Sequence, residues 1–197
     1  MKYDEFLKRE HYSLEELLGM AYGNLVEDPP EEFIRLPAPP FLMVDRVTEL
    51  KREGKKGKIV AEKDIKPDEW FFQCHFNGDP VQPGCLGVDA IWQLIGFYIA
   101  ANGAPGSGRA LGCQEVDFNG QIRPYNKLLR YEIDIRRFTM MPEQGAALCI
   151  GNGRLYVDDE HIYTVRDAKV GCFTGIAYTD YPNRSERSVG GIMERAD

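Results

Sequence analysis

The chain has 197 residues, 43% of them hydrophobic, a length that suits one domain with a proper core, or two only if both are small. A formal net charge of -7 argues against a nucleic-acid surface, and five cysteines, an odd number without paired spacing, predict reduced thiols rather than a disulfide framework. The N-terminus is charged (Lys2, Asp4, Glu5, Lys8, Arg9, Glu10) and lacks an apolar signal core, which predicts a cytoplasmic protein.

Residues 13 to 20 read as a short helix, with Ser13 and Glu16 as a capping box and Leu14, Leu17 and Leu18 as its apolar stripe. Five prolines between Pro29 and Pro40 make that stretch an extended lead-in. Phe41 to Leu50 and Lys58 to Ile65 predict strands of a hairpin turned at Gly54 to Gly57. The basic residues Lys51, Arg52, Lys55, Lys56 and Lys58 are separated by glycines, have no interleaved aromatics, and read as a solvated turn. Trp70-Phe71-Phe72 is a strand-like aromatic run leading to Cys74-His75, and the chain breaks at Asn77-Gly78-Asp79-Pro80 and again at Pro83-Gly84. Cys85 to Ala101 is helix-forming and apolar on nearly every side, the pattern of a buried helix. It is read as too short for a bilayer, and it carries an acid and an amide. After a loop from Asn102 to Gly108, four strands are predicted: Arg109 to Phe118, Leu128 to Met140, Ala146 to Val157 and His161 to Phe173. About six strands and one all-apolar helix to cover them make an α+β domain.

The polar positions on the buried helix carry the chemistry. Cys85, Asp89 and Gln93 follow at i, i+4 and i+8 and share one face. A buried carboxylate needs a partner, and its pKa should rise. His75 lies just upstream, and Pro83-Gly84 opens the helix beside it, where free N–H groups favour an anion or a carbonyl. The competing reading is a core Asp that merely satisfies a core His. A Cys74–His75 dyad is geometrically poor if both lie in a strand, because neighbouring side chains then face opposite ways. His11, His75 and His161 lack metal-ligand spacing, and no glycine loop fits a nucleotide.

The string Trp70-Phe71-Phe72-x-Cys74-His75-Phe76-x-Gly78-Asp79-Pro80-Val81-x-Pro83-Gly84-Cys85-Leu86-Gly87-x-Asp89-Ala90-x-Trp92-Gln93-Leu94-x-Gly96-Phe97-Tyr98 closely resembles the bacterial β-hydroxydecanoyl-[acyl carrier protein] dehydratase/isomerase family. Weaker similarity runs from about Leu36 to Phe173 and includes Gly108 to Gly112 and Ala168 to Gly171. The resemblance implies a hot-dog fold, an antiparallel sheet wrapped around one long helix, and a homodimer with active sites shared between subunits. It implies dehydration of (3R)-3-hydroxyacyl thioesters on acyl carrier protein, isomerisation of trans-2 to cis-3 enoyl chains, and no metal or redox cofactor. By the same resemblance His75 is the general base, Asp89 the acid from the opposite subunit, and the Gly84 N–H the donor to the thioester carbonyl. Val81 orients His75 through its carbonyl and Gln93 holds the Asp89 carboxyl. Phe76, Cys85 and Trp92 complete the substrate-binding set. Asp89 favours the isomerase branch, since the dehydratase-only branch usually has Glu there. Asn77 and Gln82 depart from positions that are commonly apolar in the family, and the turn from Met141 to Gly145 is longer and more acidic.

The expected organisation is an N-terminal helix and Pro-rich lead-in over 1–35, a dehydratase domain over 36–175, and a charged tail over 176–197. Arg136, Arg137 and Lys169 are candidates for docking an acidic carrier, the alternative being ordinary solvent-facing charges. The other functional readings are a hot-dog thioesterase and a non-catalytic acyl-thioester binding module. No nucleic-acid or membrane partner is expected.

Overall fold

The structure, a computed structural model, describes residues 1–177 and 194–195. In chain order the elements are α1 (Tyr3–Lys8), α2 (Leu14–Tyr22), β1 (Arg46–Glu53), β2 (Lys56–Asp64), α3 (Gly84–Ala101), β3 (Ser107–Gly112), β4 (Glu115–Phe118), β5 (Leu128–Met141), β6 (Ala146–Val157) and β7 (Glu160–Phe173). A two-residue pair, β8 (Ile176–Ala177) with β9 (Glu194–Arg195), lies outside the main sheet. The rest of the expected tail, with Arg184, Glu186 and Arg187, lies outside the described residues.

Seven antiparallel strands form one sheet in the order β1-β2-β5-β6-β7-β3, with β4 also paired to β7. β5 shows why the sheet has one apolar face: Leu129, Tyr131, Ile133 and Ile135 are buried, while Arg130, Glu132 and Asp134 between them are partly exposed. The buried face meets α3, which packs across β7, β6 and β5. Two glycines let helix and sheet approach. A Cβ on Gly153 of β6 would lie 2.6 Å from Ile91 Cδ1, and one on Gly87 of α3 would lie 2.7 Å from Tyr163 Cε2. Leu86, Ile91, Leu94, Ile95 and Phe97 are each at most 5% exposed; burying a large apolar side chain of this kind contributes about 1.5–3 kcal/mol. This is the hot-dog arrangement. At 18 residues α3 is in fact long and apolar enough to cross a membrane by length and composition, and 72% of it is buried inside the protein.

The other end of α3 is covered by the N-terminal helices. Phe6 and Tyr12 meet Phe97 edge to face, with ring centroids at 6.2 and 4.8 Å, and Tyr12 makes an isolated bridge to Val47. The capping box of α2 forms as its sequence predicts: Ser13 Oγ accepts from Glu16 N, and the Glu16 carboxylate accepts from Ser13 N. α1 is not foreseen by the sequence; at six residues it relies on packing, with Phe6 fully buried.

Three expectations are corrected. Trp70 to Phe72 is a 3-10 turn spanning Trp70–Gln73 rather than a strand, because burial of Phe71 and Phe72 overrides the β preference of aromatic residues. The expected strand from Arg109 to Phe118 is two strands, β3 and β4. The ladder shifts register between Ala110 and Gly112, where Gly112 takes a φ of +128°. The first strand begins at Arg46 instead of Phe41, because the Phe41–Met43 backbone is bonded to a side chain of α3.

Candidate active site

His75 sits in an irregular loop, not in a strand. The 3-10 turn hands the chain over: His75 N donates to Phe71 O at 2.9 Å, and His75 O accepts from Val81 N at 2.8 Å. The turn is held to β2 by Lys63, which is 7% exposed and lies 2.7 Å from the Glu69 carboxylate. Between His75 and Val81 the chain reverses tightly, with Phe76 and Asp79 exchanging both backbone hydrogen bonds and the His75–Phe76 peptide cis. Arg123 clamps this reversal from outside, donating to the Asp79 carboxylate and, at 3.0 Å, to Pro80 O.

The imidazole is fixed by one bond, Nδ1 to Val81 O at 2.9 Å. A carbonyl oxygen only accepts, so Nδ1 carries the proton and Nε2 of the neutral ring has a free lone pair. Among the described residues Nε2 has no hydrogen-bond partner. The Phe76 ring lies 3.8 Å from the imidazole, tilted by 32°, and is 55% exposed. Cys74 turns its thiol back toward Trp70 O and Phe71 O, at 3.5 and 3.7 Å. The Cys74–His75 dyad is therefore absent, though for a reason other than strand geometry.

α3 begins beside this ring. Gly84 is its first residue after Pro83, and no side chain caps the start, so the first N–H groups remain open to a ligand. A Cβ on Gly84 would fall 2.8 Å from Phe118 Cε1, so a side chain here would have to displace that ring. His75, Val81, Gln82, Gly84 and Cys85 line one side of a cleft of about 680 Å³, and Phe118 to Gln121 with Tyr163 line the other. Burial pushes the Tyr163 phenol up to about 12, with the Cys85 thiol adding to the effect. Local sequence did not mark Phe118, Gln121, Arg123 or Tyr163, because long-range strand pairing brings them here.

Asp89 faces elsewhere. It lines a separate cavity of about 200 Å³ with Trp92, Gln93, Phe41, Arg109 and residues 34–37 of the lead-in. Burial holds its carboxyl above the usual range, and the hydrogen bond from Gln93 offsets this only in part. Gln93 Nε2 donates to Asp89 Oδ2 at 2.6 Å and to Phe41 O at 2.8 Å, while Gln93 Oε1 accepts from Met43 N at 3.0 Å. Trp92 Nε1 donates to Gly112 O at 3.3 Å. A single chain therefore brings His75, Val81, Gly84, Cys85 and Gln82 together, and Asp89, Trp92 and Gln93 together, in two different cavities. Within one chain the base and the acid line different cavities.

The basic candidates lie on the sheet. A bulge after Ile135 exposes both Arg136 and Arg137. Arg136 is ion-paired with Asp167, whereas Arg137 and Lys169 are the two cross-strand partners of Ile150. An open depression of about 840 Å³ is lined by Arg9, Glu16 and Tyr22, with Arg9 and Glu16 ion-paired at 2.7 Å. Among the described residues, no three His, Cys, Asp or Glu side chains are placed to hold a metal ion.

Solved structures of similar shape include the dehydratase heterocomplex ApeI:P from Xenorhabdus doucetiae, at 12% identity over 68% of this chain and 84% of that one, TM-score 0.46. An uncharacterized protein from Erwinia carotovora subsp. atroseptica matches at 17% identity over 65% and 93%, TM-score 0.42. Cj0977, a sigma28-regulated virulence protein from Campylobacter jejuni, matches at 10% over 68% and 78%, TM-score 0.40. The FabA-like domain family matches residues 36–166, well over half of the chain and a stretch that includes His75, Gly84, Asp89 and Gln93. The chain belongs to the FabA-like domain family.

Proposed function

We propose that the protein is a lyase that removes water from a (3R)-3-hydroxyacyl thioester, carried on acyl carrier protein, to give the trans-2-enoyl thioester. The observation that carries the reading is the state of His75: its Nδ1–H is donated to Val81 O, which leaves Nε2 basic beside the uncapped start of α3. In this reading Nε2 takes the proton from C2 while the Gly84 N–H receives the negative charge that develops on the thioester oxygen. The electron pair forms the C2–C3 double bond and the C3–O bond breaks. The departing hydroxyl takes its proton from the Asp89 carboxyl, which burial keeps protonated to higher pH than an exposed one. The proton on His75 then returns to Asp89, and the balance is one water lost with no redox change.

Because the two groups line different cavities of one chain, this chemistry calls for a homodimer in which each site takes His75 from one protomer and Asp89 from the other. The outer edge of β3, with an exposed Leu111, is the natural seam, since pairing two such edges removes unpaired backbone groups from water. His75 acting alone at C2 and C4 accounts for isomerisation of trans-2 to cis-3 chains. Arg137 and Lys169 are the docking charges for the acidic carrier.

The test is incubation with a 3-hydroxyacyl thioester followed by mass analysis. Loss of one water supports the lyase. Release of free thiol identifies a thioesterase, and unchanged thioester with saturable binding identifies a binding module.

A further inference from the structure

Gln82 is 2% exposed, lines the His75 cleft, and has neither Nε2 nor Oε1 hydrogen-bonded among the described residues. Its backbone N–H donates to Ile122 O at 3.0 Å, which places the residue while its side-chain amide stays orphaned. Native proteins pair nearly all buried polar groups, and an unpaired one points to a partner that arrives later. Both halves of this amide are unpaired, so the missing partner has to donate and accept within the reach of one side chain.

The proposed substrate narrows the choice. Its 3-hydroxyl is assigned to Asp89 and its thioester carbonyl to the start of α3, and the acyl chain beyond is hydrocarbon, which satisfies no amide. What remains is the thiol arm. In a pantetheine arm the first amide nitrogen lies four bonds from the thioester carbon, and two methylenes separate this amide from the next. The carbonyl of one amide and the N–H of the next thus present an acceptor and a donor along one edge. Gln82 stands two residues before Gly84, beside the place where the thioester carbonyl would bind. The Tyr163 hydroxyl, also without a hydrogen-bond partner among the described residues, is a second polar group in the same cleft.

We infer that Gln82 is the specificity residue for the amide-bearing arm of the thioester, turning its side-chain amide onto the two successive amides of a pantetheine unit when substrate enters. The inference rests on the thioester reading above and assigns the side of the cleft that receives the arm rather than the acyl chain. A partner protomer is the competing source of the missing bonds.

The experiment reads binding and not turnover. Dissociation constants are measured by calorimetry for an unreactive S-alkyl pantetheine thioether and for two analogues in which one or the other amide N–H is replaced by oxygen. The proteins are the wild type, Gln82→Met and Gln82→Glu. One hydrogen bond is worth about 3- to 10-fold in affinity. Wild type should lose about that factor with one of the ester analogues, and Gln82→Met should bind the parent and that analogue equally. No loss in wild type with either ester, an equal loss in wild type and Gln82→Met, or no binding of the parent thioether by wild type overturns the inference. The wild-type comparison stands even if a variant fails to fold. Dehydration of a hydroxyacyl thioester, assayed separately, decides the lyase reading: thioether discrimination without dehydration would leave the arm site and remove the lyase.

Discussion

Asp89 combines a half-buried carboxyl with a single donor, Gln93, and both activity and stability should respond to it. Asp89→Asn keeps the shape and an acceptor for Gln93 but has no acidic proton, so dehydration should fall by about 10²–10⁴. Isomerisation, which expels no water, should fall less; equal loss of both activities with a lower melting temperature would make Asp89 a packing residue only. The pH dependence has a definite sign. The folded carboxyl titrates above its unfolded value of about 3.9, so the native state binds the extra proton and the stability of the wild type declines as pH rises between the two values. Asp89→Asn lacks that decline. The stability difference, wild type minus variant, should therefore shrink as pH is raised from below 4 through the folded pKa, as read by urea melts across pH. Gln82 makes the complementary case. Relieving an orphaned buried amide is worth about 1–3 kcal/mol, so Gln82→Met should raise stability by that order while weakening recognition of the arm. At this scale the helix spacing alone revealed Asp89 and its partner Gln93, because i and i+4 fix a shared face. The bonds of Gln93 to Phe41 and Met43, and the Arg123 clamp, join residues far apart in sequence and had no local trace.

α3 is legible in the sequence, because apolar residues on nearly every side leave it no place but a core. Trp70 to Phe72 misled because aromatic residues favour strands on average, whereas here three aromatics in a row are split between two buried rings and a half-exposed Trp70. The division between β3 and β4 was hidden because Gly112 looks like any strand glycine until its φ is known. The seat of the helix on the sheet gives a prediction of its own. Gly153→Ala places a methyl 2.6 Å from Ile91 Cδ1 and should cost about 1–3 kcal/mol through overpacking. Adding Ile91→Val, which removes that atom, should recover part of the loss; denaturant unfolding of the single and double variants measures both.

The proposed mechanism requires two chains for each site. His75→Ala and Asp89→Asn chains, each inactive alone, should regain activity on mixing, since a mixed dimer holds one site with both groups intact. Inactivity after verified subunit exchange would exclude the shared site. Charge placement adds a second test. Arg136 is already ion-paired with Asp167, so Arg137 and Lys169 are the charges proposed to attract an acidic carrier to a protein of net charge -7. Reversing both to Glu should raise KM for the carrier-bound substrate and leave a pantetheine thioester unaffected; an equal effect on both would move the docking surface elsewhere.

The aromatic contacts of α1 and the α1–α2 link at Phe97 also fix what counts as the folding unit. Family membership is written in residues 36–166, but the far mouth of the sheet is stoppered by Phe6 and Tyr12, which precede that span. Cutting the chain at Leu36 would keep every proposed catalytic group and uncork the core, with each large side chain newly wetted costing about 1.5–3 kcal/mol. The family match and the completeness of the fold therefore have different borders in this protein, and the shorter piece should precipitate before it can be assayed.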